Sequence, residues 1–346
     1  MAPLPSPKGN PFVWQMAEQL KRNGCQLTSL SLAAACRADV LHFHWPDHFV
    51  SRASAWSGVR GATKVLLCCL LARARRRAVV WTVHNLKPHD ARHSWLERAY
   101  WPVFTALLTG CVCLTAAGRA STLKRFPRLR SKRVVVIAHG SYTGVYPDFE
   151  GGPRDARARL DLPAASSPLL FFGQIRPYKN VPALLEAFAS VEDPDARLIV
   201  AGDSPDLSLM VALRQQAERD GRVTMTGRVA DEDVQRVFAA SVGAVLPFRE
   251  VFNSGSLFLA LSLGRPVLVP RTSVFAEIQQ QVGIGWLTLF DPPLVPATLA
   301  GFTAHARMLT ETGSHPDLSS YDWDVLGGQI VAFYRAMLAG GGGHRL

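Results

Sequence analysis

The feature that most constrains the fold is the alternation of short apolar runs with stretches of helical spacing along nearly the whole chain. The runs are almost continuously apolar, which is typical of parallel strands covered by helices on both faces. The predicted strands are residues 26–32, 40–45, 79–84, 111–115 and 134–138 in a first series, and 169–173, 197–201, 223–226, 243–247, 266–269 and 286–289 in a second. We therefore predict an α/β fold with two tandem Rossmann-like, doubly wound domains.

A stretch rich in Pro, Gly, Ser and Asp, residues 146–168, separates the two series of strands. This composition is typical of a connection between domains, and we place the boundary near Glu150. The predicted domains are residues 1–149 and 150–317. Residues 318–338 have helical spacing, and we expect this last helix to return to the first domain. Tandem domains of this kind predict a ligand cleft between them, at the carboxyl ends of both sheets.

The two halves of the chain differ in charge. Residues 1–150 hold 21 Lys and Arg against 7 Asp and Glu, whereas residues 151–346 hold 17 against 20, giving net charges of +14 and −3. The excess of positive charge in the first half predicts an anionic partner for it: phosphate, nucleic acid or an acidic membrane surface. Aromatic residues do not interleave with the basic ones as in a recognisable RNA-binding module, which argues against nucleic acid.

Two features of the first half bear on location. The start, MAPLPSPKGNPF, has prolines where a signal peptide needs an apolar stretch, so we expect a cytoplasmic protein. Residues 65–72 are apolar on all sides but too few to span a membrane. They run into a cluster of arginines, residues 73–77, and a helix of this kind either rests on an anionic membrane or packs inside an α/β domain.

Two turns of the second half have the composition of an anion site. GQIRPYKN at 173–180 follows a predicted strand and places two cations beside the N-terminus of a helix. NSGS at 253–256 precedes an apolar helix, where small hydroxyl-bearing residues suit an anion or a plain helix cap. Together the turns predict a diphosphate site. Its candidate residues are Gly173, Arg176, Lys179, Asn253, Ser254, Gly255 and Ser256.

Polar residues also follow the strands of the first half, where seven of the ten histidines lie between His42 and His139. Strand ends of a parallel sheet meet at one edge, and there a carboxylate can deprotonate a hydroxyl and an imidazole can bind one. The candidates are His42, His44, Trp45 and Asp47 at the end of one strand, His84, Asn85, His89 and Asp90 at the end of the next and after it, and His139 and Gly140 after the last.

The pair His42 and His44 permits a different interpretation, because HxH spacing is typical of metal-dependent hydrolases. Both side chains would lie on one face of a strand. That interpretation needs further ligands at the strand ends of a single barrel, and neither the strand count nor the connection at 146–168 suits a barrel.

Several longer motifs carry a family resemblance. They are VLHFHWPD at 40–47, VVWTVHNLKPHD at 79–90, FFGQIRPYKNVPALLEAF at 171–188, NSGSLFLALSLGRPVLVP at 253–270, VGIGWL at 282–287 and DLSSYDW at 317–323. The chain resembles GT-B glycosyltransferases, and more closely the xanthan-type, GumI-like β-mannosyltransferases of glycosyltransferase family 94. The resemblance extends from about residue 10 to residue 338.

This resemblance implies a GT-B fold and transfer of mannose from GDP-mannose, with inversion, onto a polyprenyl-diphosphate-linked oligosaccharide in exopolysaccharide biosynthesis. It implies that the second domain binds the nucleotide sugar and the first domain the anionic, lipid-linked acceptor. The enzyme would then be peripheral on the inner face of the plasma membrane, and we expect its basic stretches at 73–77 and 124–133 to dock on the anionic membrane surface. We expect no cofactor and no metal requirement.

The resemblance also bears on mechanism. Retaining GT-B enzymes carry two glutamates eight residues apart, at positions that align with Val251 and Leu259 here. Their absence favours inversion, which needs a base; Asp47 is the first candidate and Asp90 the second. His84 would assist by orienting sugar hydroxyls, and the acceptor- or sugar-binding candidates are His44, Trp45, Asn85, His89, His139 and Gly140. The alternatives are a retaining hexosyltransferase with another nucleotide sugar, and a non-catalytic nucleotide- or glycan-binding relative.

Overall fold

The computed structural model describes Met1, Ser6, residues 9–86 and residues 93–339. The chain divides into two compact units, Met1–Gly140 with Ser320–Leu346, and Ser141–Ser319. The division falls between Gly140 and Ser141, whereas the sequence analysis placed the boundary near Glu150.

The elements of each unit follow the chain in order. In the first unit the strands are β1 (Val40–Phe43), β2 (Ala78–Val83), β3 (Gly110–Cys113) and β4 (Arg133–Val136). Its first helices are α1 (Pro11–Arg22), α2 (Leu32–Arg37), α3 (Ala55–Ala74), α4 (Ser94–Leu107) and α5 (Ala116–Arg125). In the second unit the strands are β5 (Leu169–Phe172), β6 (Leu198–Ala201), β7 (Val223–Gly227), β8 (Gly243–Val245), β9 (Val267–Pro270) and β10 (Leu287–Phe290). Its helices are α6 (Pro153–Ala158), α7 (Val181–Ala189), α8 (Leu207–Ala217), α9 (Val234–Ala240), α10 (Gly255–Ser262), α11 (Ser273–Val282) and α12 (Pro296–Glu311). The last helix, α13 (Trp323–Ala339), belongs to the first unit.

The sheet of the first unit is parallel, with strand order β1-β2-β3-β4. Successive residues of β2 point to opposite faces, as the period of a strand requires. Val80 joins a buried cluster with side chains of α1 and α13. Trp81 points the other way and packs against Trp101 and Phe104 of α4. Helices therefore cover both faces of this sheet, as its apolar strands predicted.

The predicted strand at residues 26–32 is wrong. The chain enters α2 at Leu32, and the Oγ of Ser31 accepts a hydrogen bond from the backbone N–H of Ala34 at 3.0 Å. A capping serine followed by a leucine and three consecutive alanines favours a helix from residue 32, and residues 26–31 before it form neither a strand nor a helix. The connection at 146–168 likewise contains a short helix, α6, which begins at Pro153.

Helix α3 is longer than the apolar segment that the sequence analysis singled out. Among the described residues it is the one helix with the length and composition to cross a membrane. One of its sides packs inside the first unit, where Val65, Cys68, Cys69 and Ala72 are buried. This one-sided burial is what a helix of an α/β domain shows.

The sheet of the second unit is also parallel, with strand order β10-β9-β8-β5-β6-β7. The chain passes from β5 outward to β6 and β7, then returns so that β8 pairs with the other edge of β5. Such a reversal is a topological switch point, and ligands of open α/β sheets bind at the carboxyl ends of the strands that flank it. The two predicted anion-binding turns follow these two strands. The predicted fold class, with two parallel Rossmann-like sheets, is confirmed.

Candidate active site

Three histidines at the strand ends of the first unit lie in direct hydrogen-bond networks. Nε2 of His42 is 2.7 Å from Oγ1 of Thr82, and its Nδ1 bonds to the hydroxyl of Tyr334 in α13. Nδ1 of His44 is 3.0 Å from Nε2 of His84. All three imidazoles are buried. The structure thus brings together the ends of β1 and β2, as the sequence predicted for parallel neighbours.

Burial keeps these imidazoles uncharged. Desolvation lowers the pKa of His42 to about 3 and the pKa of His139 to about 4, and it lowers the pKa of His44 and of His84 well below the usual value. A neutral imidazole offers one donor and one acceptor, so these residues suit sugar hydroxyls rather than phosphate charges. Within the described part of the chain, the buried Nε2 of His44 has no hydrogen-bond partner.

Aromatic rings surround this histidine group. The ring of Phe12 in α1 lies with its centroid 5.0 Å from that of His84, 4.7 Å from His139 and 5.3 Å from Trp323. A Cβ atom at Gly140 would lie 2.1 Å from the Trp323 ring, so a side chain there would displace the start of α13. Nδ1 of His139 donates to the Gly140 carbonyl at 2.8 Å. The candidates that follow β4 therefore lie beside those that follow β2.

Trp45 and Asp47 follow β1 at the same edge of the sheet. The Trp45 ring stacks on His84 with a centroid distance of 4.3 Å and an interplanar angle of 21°. Asp47 is buried in a short 3-10 helix, Pro46–Phe49, and its carbonyl accepts a hydrogen bond from the N–H of Val50 at 2.9 Å. A carboxylate at this strand end is a candidate general base.

The other candidate base, Asp90, lies outside the described residues, and so does His89. Asn85 is described: it follows His84 directly and is half-buried. Asp47 is therefore the candidate base for which the structure gives a position.

The two predicted anion-binding turns of the second unit meet at the switch point. Gly173 follows β5 with a φ of +122°, which L side chains rarely adopt. A Cβ atom built there would lie 2.8 Å from Oγ of Ser256 and 3.1 Å from Nζ of Lys179. A hydroxyl and an ammonium thus face the same small space beside a bare backbone. Because that space admits no side chain, it allows close approach of an oxyanion such as a phosphate.

Lys179 supplies the charge of this space. Burial of its ammonium, with a smaller contribution from the charge of Arg176, lowers the pKa of Lys179 to about 8. Its Nζ lies 6.0 Å from the centroid of the Phe248 ring. Arg176 is half-buried, and its Nε donates to Oε1 of Gln174 at 3.3 Å. Lys179 remains mainly protonated at neutral pH and carries a positive charge toward Gly173.

The NSGS turn holds both a helix cap and a second hydroxyl that faces Gly173. Ser254 is the helix cap of α10, since its Oγ accepts from the N–H of Leu257 at 3.2 Å. Ser256, two residues later, points its hydroxyl at the Gly173 space. Gly255 between them has no room for a side chain, because a Cβ atom would lie 2.8 Å from the Tyr142 hydroxyl oxygen. The first N–H groups of α10 have no partner within the helix, and its positive end favours an anion.

The sequence analysis missed residues that extend this site. A cavity of about 500 Å³ lies at the carboxyl ends of β5, β6 and β7. A Cβ atom at Gly202 would lie 2.1 Å from the Gly173 carbonyl oxygen, so the two backbones are in close contact. The motif AGDS at 201–204, which directly follows a predicted strand, was the available signal. Residues lining the cavity include Phe172, Gly173, Gln174, Gly202, Asp203, Ser204 and Arg228.

Arg249 is a further cation that the sequence analysis did not single out. Its backbone N–H donates to the Tyr178 carbonyl at 2.8 Å, and its Nε donates to Oδ1 of Asn180 at 2.8 Å. These bonds tie the turn after β8 to the turn after β5. Asn253, half-buried, lies later in the same turn. The two turns therefore hold each other in place before any ligand binds.

The alternative metal site at His42 and His44 has no support in the geometry. Both ring nitrogens of His42 are hydrogen-bonded, to Tyr334 and to Thr82. Among the described residues there is no group of three or more His, Cys, Asp or Glu side chains that could hold a metal ion.

Comparisons with known proteins place the whole chain in a family. The family described as "Glycosyl transferases group 1" matches residues 167–300, within the second unit. A GDP-mannose:glycolipid 4-β-D-mannosyltransferase from Xanthomonas campestris pv. campestris is 31% identical over 326 residues, which cover 93% of this chain and 87% of that protein. The structure of Anabaena HepE in complex with UDP and glucose superposes with a TM-score of 0.65 at 16% identity, covering 88% of this chain and 80% of that one. Sucrose-phosphate synthase of Thermosynechococcus elongatus superposes with a TM-score of 0.63 at 19% identity, covering 87% of this chain and 74% of that one. The chain belongs to the group 1 family of GT-B glycosyltransferases.

Proposed function

We propose that this glycosyltransferase moves mannose from GDP-mannose, with inversion, onto a polyprenyl-diphosphate-linked oligosaccharide in exopolysaccharide biosynthesis. The observation that carries the donor half of the proposal is the convergence of Lys179 Nζ and Ser256 Oγ on the space beside Gly173. The similarity to the Xanthomonas GDP-mannose:glycolipid 4-β-D-mannosyltransferase, over 93% of the chain, supports the sugar and the lipid-linked acceptor.

In this proposal the second unit holds GDP-mannose. The diphosphate binds between Lys179, Ser256 and the N-terminal end of α10, with Arg176 as an additional cation at the edge. The cavity of about 500 Å³ that adjoins Gly173 takes the nucleoside. Lys179 and the helix end stabilise the negative charge that develops on the leaving GDP, so the reaction needs no metal ion.

The first unit holds the acceptor and the base. Asp47 takes the proton from the acceptor hydroxyl, whose oxygen forms the new bond to the anomeric carbon as the bond from that carbon to the GDP oxygen breaks. The neutral imidazoles of His44 and His84 orient sugar hydroxyls, and Trp45 offers an aromatic face to a sugar ring. A single displacement of this kind inverts the configuration, and Val251 and Leu259 stand where retaining relatives have glutamates.

Selective stabilisation by one nucleotide tests the donor assignment. GDP and GDP-mannose should raise the melting temperature, because a ligand that binds only the folded chain stabilises it by mass action. UDP, ADP and their sugars at equal concentration should raise it by less. A larger shift with UDP or UDP-glucose than with GDP-mannose would reject GDP-mannose as the donor.

We also propose that the first unit docks on the anionic inner face of the plasma membrane. Exposed arginines at the end of α3, Arg73, Arg75 and Arg76, follow exposed apolar side chains in the last turns of the same helix, Leu67 and Leu70. Cations of this kind attract anionic headgroups, and the apolar side chains add insertion into the interface.

Sedimentation with vesicles tests this docking. The wild-type protein should sediment with phosphatidylglycerol vesicles and not with phosphatidylcholine vesicles, and salt should release it. Arg73→Glu/Arg75→Glu should abolish the sedimentation. Arg214→Glu/Arg219→Glu makes the same charge change at exposed residues of the second unit and should leave it intact. Equal sedimentation with neutral vesicles, or equal losses in both variants, would contradict docking by this surface.

A further inference from the structure

A groove in the first unit lies on the α4 side of its sheet, away from the face covered by α1 and α13. Its volume is about 560 Å³. Trp101 of α4 and Phe126 form its apolar floor, with ring centroids 5.3 Å apart, and both rings pack against Trp81 of β2. Pro102 and Pro127 add apolar surface to the walls. The floor is rigid, because both of its aromatic rings are buried and held by neighbouring rings.

Cations line the same groove. Arg125 lies 5.0 Å from the Phe126 ring centroid, and Arg128 donates from Nη1 to the Pro102 carbonyl at 2.8 Å. Arg98, on α4, is exposed. None of these three arginines forms an ion pair with a residue that the structure describes. The groove therefore offers an apolar floor and a net positive lining to a single ligand.

Among the described residues the lining also holds one carboxylate, Glu97, which accepts a hydrogen bond from Oγ of Ser51 at 3.1 Å and leaves the three arginines in excess. The exposed surface of α4 also carries two apolar side chains, Trp95 and Val103, each about half exposed.

We propose that this groove binds the lipid end of the acceptor, with the first isoprene units on Trp101 and Phe126 and the adjoining diphosphate on Arg98, Arg125 and Arg128. The inference rests on the proposed function, because it takes a polyprenyl diphosphate as the acceptor lipid. It adds to the proposed function a lipid-binding site that is distinct from the histidine group proposed to bind the sugar. A volume of this size fits a drug-sized ligand, so only the beginning of a long chain is bound by protein.

Calorimetric titration with farnesyl diphosphate, a short soluble isoprenoid, tests the groove without donor or sugar. Wild-type protein should bind it, while inorganic diphosphate and farnesol should each bind at least tenfold more weakly. Arg98→Gln/Arg125→Gln should weaken the binding of farnesyl diphosphate at least tenfold. Arg214→Gln/Arg219→Gln removes the same charge from exposed residues of the second unit, outside the groove, and should retain wild-type affinity.

Three results would overturn the groove assignment: no binding of farnesyl diphosphate, equal affinity for inorganic diphosphate, or the same loss in both double variants. GDP-mannose binding measured on the same samples separates this inference from the proposed function. Loss of farnesyl diphosphate binding with intact GDP-mannose binding contradicts the groove alone. Absence of GDP-mannose binding in the wild type contradicts the proposed donor, whatever the groove binds.

Discussion

Lys179→Ala should weaken GDP-mannose binding roughly 10- to 150-fold, which corresponds to a loss of about 1.5 to 3 kcal/mol for a hydrogen bond to a charged group. The ammonium faces the Gly173 space together with Ser256 Oγ, and no other described cation lies as close to that space. The folded state should survive. Because burial lowers the pKa of Lys179, its charged form is less favourable in the folded chain than in water, so removing it does not cost folding stability.

Isothermal titration of GDP-mannose into both proteins measures this effect. Arg214→Ala, which removes an exposed cation from α8 in the same unit, is the matched control and should bind like the wild type. Unchanged affinity in Lys179→Ala would contradict binding of the diphosphate in the Gly173 space.

The same lysine predicts a pH dependence with a definite sign. In the free protein the pKa of Lys179 is about 8, so the side chain is charged below that pH and loses its charge as the pH rises through it. GDP-mannose affinity should stay constant near neutral pH and fall above about pH 8, by up to about tenfold per pH unit. Lys179→Ala should lack this fall. A wild-type affinity that does not change between pH 7 and about pH 9 would contradict the role of this ammonium.

Asp47→Asn should reduce the rate of mannose transfer by roughly 100- to 10,000-fold, which is the effect expected for loss of a positioned general base. The variant should bind GDP-mannose as tightly as the wild type. The substitution is nearly isosteric, and the carboxylate is buried at the end of β1, so an amide fits the same space. Initial rates at saturating donor, with the donor Kd measured in parallel, separate the two effects.

The matched control for this variant is Asp39→Asn. It removes a carboxylate just before β1, where Asp39 forms a surface ion pair with Arg77 at 2.6 Å, and it should keep wild-type turnover. Wild-type turnover in Asp47→Asn would exclude Asp47 as the base and pass that role to Asp90.

The two turns proposed to bind the donor could be placed from sequence because one rule covers them. Strands of nearly continuous apolar composition predict a parallel sheet, and its ligands bind at the carboxyl ends of strands. GQIRPYKN and NSGS follow such strands, and in the structure Lys179 and Ser256 converge beside Gly173. The sequence did not reveal which serine is the cap and which faces the site, because that depends on where α10 begins.

The first unit was less predictable, since its site depends on contacts between distant parts of the chain. The bond from His42 to Tyr334 joins residues 292 positions apart, and Gly140 is required by the Trp323 ring. No local pattern specifies such partners. The predicted strand at 26–32 failed for a related reason: apolar and β-branched residues fit a strand, a helix entry or an extended loop equally well until packing selects one.

The groove beside α4 could not be predicted from the sequence. Its floor residues, Trp101 and Phe126, are 25 positions apart and read individually as ordinary core aromatics. The arginines after Phe126 were visible only as part of a basic surface. Their relation to an apolar floor needed the packing of α4 against the segment after α5.

The most direct test of the account is transfer of labelled mannose from GDP-mannose into a lipid-diphosphate-linked oligosaccharide, with the anomeric configuration of the product determined. The account predicts incorporation from GDP-mannose and not from UDP-glucose, with a β linkage because the donor is α-linked and the displacement inverts. Incorporation of an α-linked sugar, or incorporation from another nucleotide sugar in place of GDP-mannose, would contradict it.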